Sequence, residues 1–133
     1  MSYQVMRGPD GRPSILLNEE PPYCVALEAA PTMRESELNN GLWLVMAFAA
    51  WSLPDIDAVH TALDAVKHFG GIIKLGLRPF DNPEEHATWL SGLDDNGISP
   101  LWLLLSDGDL RMMRQGTLTL DDLLGAIESA TPA

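Results

Sequence analysis

The sequence predicts an α/β fold: a mixed β-sheet with helices on both faces, preceded by an N-terminal β-hairpin extension. Three observations carry this reading. Residues 42–50 contain no polar side chain, which suits a central strand covered on both faces rather than one with a wet side. Strand-like apolar runs then alternate with capped helical stretches, and parallel neighbours in a sheet need such crossovers. Towards the C-terminus the pattern changes to strand, Ser106-Asp107-Gly108-Asp109, strand, a tight hairpin that adds antiparallel strands at the sheet edge.

Taken in order, residues 3–7 and 14–17 form two strands about the turn signal Gly8-Pro9-Asp10-Gly11. Pro21-Pro22 closes this extension, so the organisation is residues 1–22 as hairpin and 23–133 as the main domain. A short strand over 23–29 contains Cys24. Thr32 and Glu35 stand at capping-box spacing and open a helix over about 33–39, which Asn40-Gly41 stops. After the apolar strand, a helix runs to about Phe69. Its Ile56, Val59, Leu63 and Val66 make one stripe, and Gly70-Gly71 ends it. Residues 72–77 are the next strand, broken only by Lys74. Asn82, Pro83 and Glu85 supply an N-cap, a first-turn proline and an early acid for a helix over 83–93. The closing strands are 101–105 and 110–115. Thr119 and Asp122 cap a last helix whose buried face is Leu120, Leu123, Leu124 and Ile127.

Composition narrows the function. The chain has 133 residues, 46% of them hydrophobic and only 20% charged, which fits one folded domain of the usual size and excludes a disordered chain. Eight Lys and Arg oppose nineteen Asp and Glu, a formal charge of −11. Such a surface repels nucleic-acid phosphates and anionic membranes. Cys24 is the one cysteine, so there is no internal disulfide and no cysteine-based metal site. Residues 1–12 lack the charged and apolar regions of a secretory signal. The longest apolar run, residues 42–51, has ten residues, half of the roughly 20 needed to span a membrane. The expectation is a cytoplasmic protein without membrane insertion.

The element order and several landmarks together give a resemblance. The apolar strand leads into Trp51-Ser52-Leu53-Pro54-Asp55, Ile98-Ser99-Pro100 precedes another apolar strand, Asp107-Gly108 makes a hairpin turn, Gly116 stands before the last helix, and Lys74 sits in a strand. In this order they resemble the thioredoxin-like superfamily from about Cys24 to Ser129. Residues 51–55 stand where thioredoxins carry Trp-Cys-Gly-Pro-Cys, and Ser99-Pro100 where they carry a cis-proline.

The departures decide what the resemblance implies. Ser52 replaces the first cysteine and Asp55 the second. The buried aspartate that aids proton transfer in thioredoxins maps onto Met46, which cannot titrate. Dithiol exchange needs a thiolate and a resolving thiol, and both are gone with the proton acceptor. Serine is not activated as cysteine is, because a helix N-terminus cannot bring a hydroxyl into its ionising range. Ser52 and Asp55 instead have capping-box spacing: the hydroxyl is placed to accept from the Asp55 N–H, and the carboxyl to reach back. A nucleophilic serine would need a base, and no histidine is near it in sequence.

Other candidates have plainer readings. Cys24 reads as a small buried apolar residue, with a mixed disulfide or dimer bond as the alternative. His60, Asp64 and His68 share a helix face at spacing that suits a metal, but a solvated face accounts for them. The acids at 94–95 and 107–109 do not match a calcium loop and belong to turns. Trp43 and Trp102 read as core, and Trp89 as half exposed. No cofactor is expected.

By resemblance, the loops at the degenerate motif frame a shallow groove for extended peptides: Trp51, Ser52, Leu53, Pro54, Ser99, Pro100 and Gly116, with the Ser99 backbone able to bond a peptide as an added strand. The expectation is a redox-inactive binding module, a dedicated chaperone or assembly factor for a protein or peptide client with a basic segment. The N-terminal hairpin would serve client contact or a homodimer. The alternative is an oxidoreductase-like enzyme that uses an external thiol such as glutathione, with Ser52 bonding its thiolate.

Overall fold

The computed structural model describes residues 3–7, 13–17, 24–26, 40–80 and 98–130. They contain β1 (Tyr3–Arg7), β2 (Pro13–Leu17), β3 (Cys24–Ala26), β4 (Leu42–Ala49), α1 (Leu53–His68), β5 (Ile73–Phe80), β6 (Leu101–Ser106), β7 (Asp109–Gln115) and α2 (Leu120–Ala130). The expected hairpin forms: β1 and β2 pair antiparallel from Tyr3–Leu17 to Arg7–Pro13 as a two-stranded sheet of their own. The other five strands make one mixed sheet in the order β3-β5-β4-β6-β7. The first three are parallel to each other, whereas β6 and β7 are antiparallel additions.

The unbroken apolar run is central for the reason its sequence suggests. Side chains of β4 alternate between two faces, and both are buried. Leu44, Met46 and Phe48 join Leu75, Leu77, Trp102 and Leu104 under α1 and α2. Trp43, Val45, Ala47 and Ala49 join Leu101, Leu103 and Leu105 on the other face. Both described helices lie on the first face. The helices expected over 33–39 and 83–93 fall outside the described residues, as do Trp89 and the acids at 94–95.

Met46 is fully buried beneath α1. Trp43 and Trp102 are core, as expected, and each indole is satisfied. Trp43 Nε1 donates to the Asn40 carbonyl at 3.0 Å, with the Lys74 ammonium 5.6 Å from its ring centre. That contact explains how a lysine is accommodated in an apolar strand.

Some boundaries differ from expectation. β5 continues past Leu77 to Phe80. Among the described residues β3 pairs with β5 as far as Leu77, and Pro79 pairs with Phe48 of β4. The cap on α2 forms as expected, the Asp122 N–H donating to Thr119 Oγ1 at 3.1 Å. Leu120, however, is not part of the buried face. It is 36% exposed, whereas Leu123 and Ile127 are buried and Leu124 packs against them partly buried. Leu120 is the first residue of α2, one turn before the buried Leu123. Gly70 and Gly71, with φ of +63° and +91°, end α1 as expected. Among the described residues, no helix is long and apolar enough to cross a membrane.

Candidate functional site

Three segments meet at the end of the sheet where β4 stops. The antiparallel register of β4 and β6 ends at Ala47–Leu101. Continuing it by two residues sets Ala49 level with Ser99, so the loop leaving β4 lies beside the loop entering β6. β7 contributes the third segment, since Leu101 pairs with Gln115. Gly116 N–H donates to the Pro100 carbonyl at 2.9 Å, and Trp102 Nε1 donates to the Gly116 carbonyl at 2.8 Å. The Gln115 side-chain amide donates to the Ile98 carbonyl at 3.4 Å. Gly116 has φ of +94°, a conformation that side chains disfavour. The Ser99-Pro100 peptide is cis.

The first segment is a tight turn followed by a helix start. Ser52 N–H donates to the Ala49 carbonyl at 3.2 Å, and Ile56 N–H to the Ser52 carbonyl at 2.9 Å. Ser52 is the N-cap residue by backbone geometry, with φ −100° and ψ 115°, and Pro54 sits in the first turn of the helix, where a missing N–H costs nothing. The expected capping box does not form. The Ser52 side chain makes no capping hydrogen bond, and the Asp55 carboxyl does not reach back to it. Instead Asp55 is 3% exposed, and its Oδ2 accepts the Ala49 N–H at 2.8 Å. β4 outruns β6, so the end of β4 needs an acceptor from elsewhere, and Asp55 supplies it.

The outer surface of this end is apolar. Trp51 is 57% exposed, Leu53 72% and Ile98 51%, with Pro54 also exposed. Ser52, Ser99 and Gly116 are half-buried, and Pro100 is buried. Sequence reasoning missed Ile98 as a surface residue. Its signal was an aliphatic side chain immediately before a Ser-Pro turn, where nothing in the local pattern supplies a face to bury it. Sequence reasoning also missed the Asp55–Ala49 link, which no local spacing announces.

Segments 50–54, 98–100 and 115–117 bring no thiol and no histidine to this surface. His60 lies further along α1, exposed and 3.3 Å from Asp64 Oδ2 through Nε2. His68 instead packs edge-on against the Phe69 ring, their centres 5.2 Å apart. Among the described residues no three His, Cys, Asp or Glu side chains gather as a metal site. Cys24, in β3, pairs through its backbone with Leu75 of β5, away from the loop that follows β4.

No protein-family model matches this chain, and no curated protein does. Solved structures do match. Thioredoxin-2 of a malaria parasite, described as a component of its protein secretion machinery, superposes with a TM-score of 0.56 and 20% identity over 68% of this chain and 84% of that one. Fasciola hepatica thioredoxin gives 0.55 and 21% over 70% and 85%. Chlamydomonas reinhardtii thioredoxin f2 gives 0.55 and 12% over 71% and 82%. At these identities the likeness concerns the fold.

Proposed function

From the premise that this chain has the thioredoxin-like fold with serine and aspartate at the two motif positions, we propose that it is a binding module without dithiol activity, which holds an extended segment of a protein client. One observation carries the reading: Trp51, Leu53 and Ile98 are exposed around the loops where β4 ends and β6 begins. An exposed aromatic among aliphatic side chains is a surface that association would cover. Ser99 offers backbone groups to a client strand added at that position. The charge of −11 favours a client with a basic segment and speeds the encounter, an effect that salt screens. A chaperone or assembly factor for one client is the role that fits.

Capture of the client from the native host tests this. Trp51→Ala and Leu53→Arg should each abolish it while leaving the fold intact. Capture that survives both changes removes this surface as the binding site.

A second reading rests on the uncommitted Ser52 hydroxyl at the start of α1. There it stands where it can donate to the thiolate of glutathione or a similar external thiol. The buried Asp55 carboxyl beside it disfavours that anion. Turnover in a glutathione-dependent reduction assay, abolished by Ser52→Ala, would reverse the ranking.

A further inference from the structure

At the opposite end of β4 the chain carries an exposed Asn40-Gly41 pair, held by a reciprocal clamp. Gly41 N–H donates to Asp107 Oδ1 at 2.8 Å, and Asp107 N–H donates to the Gly41 carbonyl at 2.9 Å. Asp107 and Gly108 have φ of +50° and +86°, the geometry of a two-residue hairpin turn. The clamp therefore ties the β6–β7 turn to the entry of β4 across 66 residues of sequence. The Asn40 carbonyl is also engaged, by Trp43 Nε1. Gly41 has φ of +86°, and a Cβ there would meet nothing within 4 Å; its nitrogen is engaged by the Asp107 carboxylate.

We propose that Asn40-Gly41 is a self-modification site whose rate Asp107 controls. With the clamp open, the Gly41 nitrogen attacks Asn40 Cγ, an approach that a residue without Cβ leaves clear. The N–Cγ bond forms and the Cγ–Nδ2 bond breaks. The Gly41 amide proton passes to solvent base, ammonia leaves with a proton from solvent, and a succinimide remains. Water then opens one imide carbonyl, giving aspartate or isoaspartate at position 40. Either product places a new carboxylate next to that of Asp107 in a chain already at −11, and isoaspartate also lengthens the backbone beside the clamp. Repulsion and misfit keep the clamp from closing again. The change is one-way: it loosens the β6–β7 turn from β4 and leaves the loops at the far end of the sheet untouched.

The test follows amide-to-acid conversion at position 40 in the full folded chain, by peptide mapping and isoaspartate detection during prolonged incubation at mildly alkaline pH. Asp107→Gly keeps a glycine-compatible turn but removes the acceptor, and conversion should rise by about tenfold, the factor for losing one charge-assisted hydrogen bond. Asp107→Asn keeps an acceptor and tolerates the positive φ, so conversion at position 40, mapped on a peptide separate from the second Asn-Gly pair that this substitution makes, should stay within about twofold of the parent. A glycine variant that converts no faster than the parent overturns the proposal. So does slowing in both variants, which would make the carboxylate a base rather than a restraint. Should the glycine variant fail to fold, the parent answers alone. Across low urea concentrations its conversion must rise in step with hydrogen exchange at the Gly41 amide, and a flat rate sinks the idea.

Discussion

The Oδ2 atom of Asp55 accepts the backbone N–H of Ala49 at 2.8 Å, inside the fold rather than at its surface. The bond joins the first turn of α1 to the last residue of β4, and it closes the loop that displays Trp51 and Leu53. Asp55 thereby fixes the loop non-covalently.

Removing that acceptor should destabilise the fold. Asp55→Ala strands the Ala49 N–H away from water, at a cost of about 1–3 kcal/mol. Asp55→Asn keeps an oxygen acceptor and should lose less than the alanine variant. Urea unfolding of the three proteins measures the difference. Equal losses for Asn and Ala would show that the hydrogen bond is not what holds the loop.

Ser52→Ala should change stability by less than about 0.5 kcal/mol, because the hydroxyl makes no capping hydrogen bond that alanine would remove. A serine that truly capped α1 would cost about 1 kcal/mol on the same change. Thermal unfolding separates the two outcomes.

Those two residues show where sequence reading stops. Thr119 and Asp122 have the same spacing as Ser52 and Asp55, and there the cap forms as read. The difference is tertiary. Asp122 is exposed and answers only to its own helix, whereas Asp55 is drawn inward by the N–H of a strand end. The core run of β4, the turn at Asp107-Gly108 and the stop at Gly70-Gly71 were legible because each rests on local composition or local backbone geometry. The extension of β5 through Pro79 was not, since it follows the length of its partner β4, which pairs with it as far as Phe80. The meeting of segments 50–54 and 98–100 depends on the register between β4 and β6. Periodicity carries no such information, and only the family resemblance anticipated it.

The buried face of α2 gives a sharper contrast than periodicity alone. Leu123→Ala empties a fully buried position on the helix that packs against α1 and β7 and should cost about 2–5 kcal/mol. Leu120→Ala, at a 36% exposed site, should cost under about 1 kcal/mol. Denaturant midpoints for the pair test this directly. Similar losses would place Leu120 in the core after all.

Gly116→Ala tests how firmly the third segment holds the site. An added Cβ would lie 3.7 Å from Ile98 Cγ2, an ordinary contact, so crowding is not the obstacle. The φ of +94° is. A residue with a Cβ held at positive φ costs about 1–2 kcal/mol. The strain has little room to relax, because the Gly116 N–H is bonded to Pro100 and its carbonyl to Trp102. Relief of φ must therefore shift the loop at 98–100, which carries Ile98 and Ser99. The expected outcome is a stability loss of about 1–2 kcal/mol, together with weaker client capture than in a variant equally destabilised elsewhere, such as a partial truncation in α2. Capture that tracks stability alone in both variants would mean that Gly116 supports the fold without shaping the binding surface.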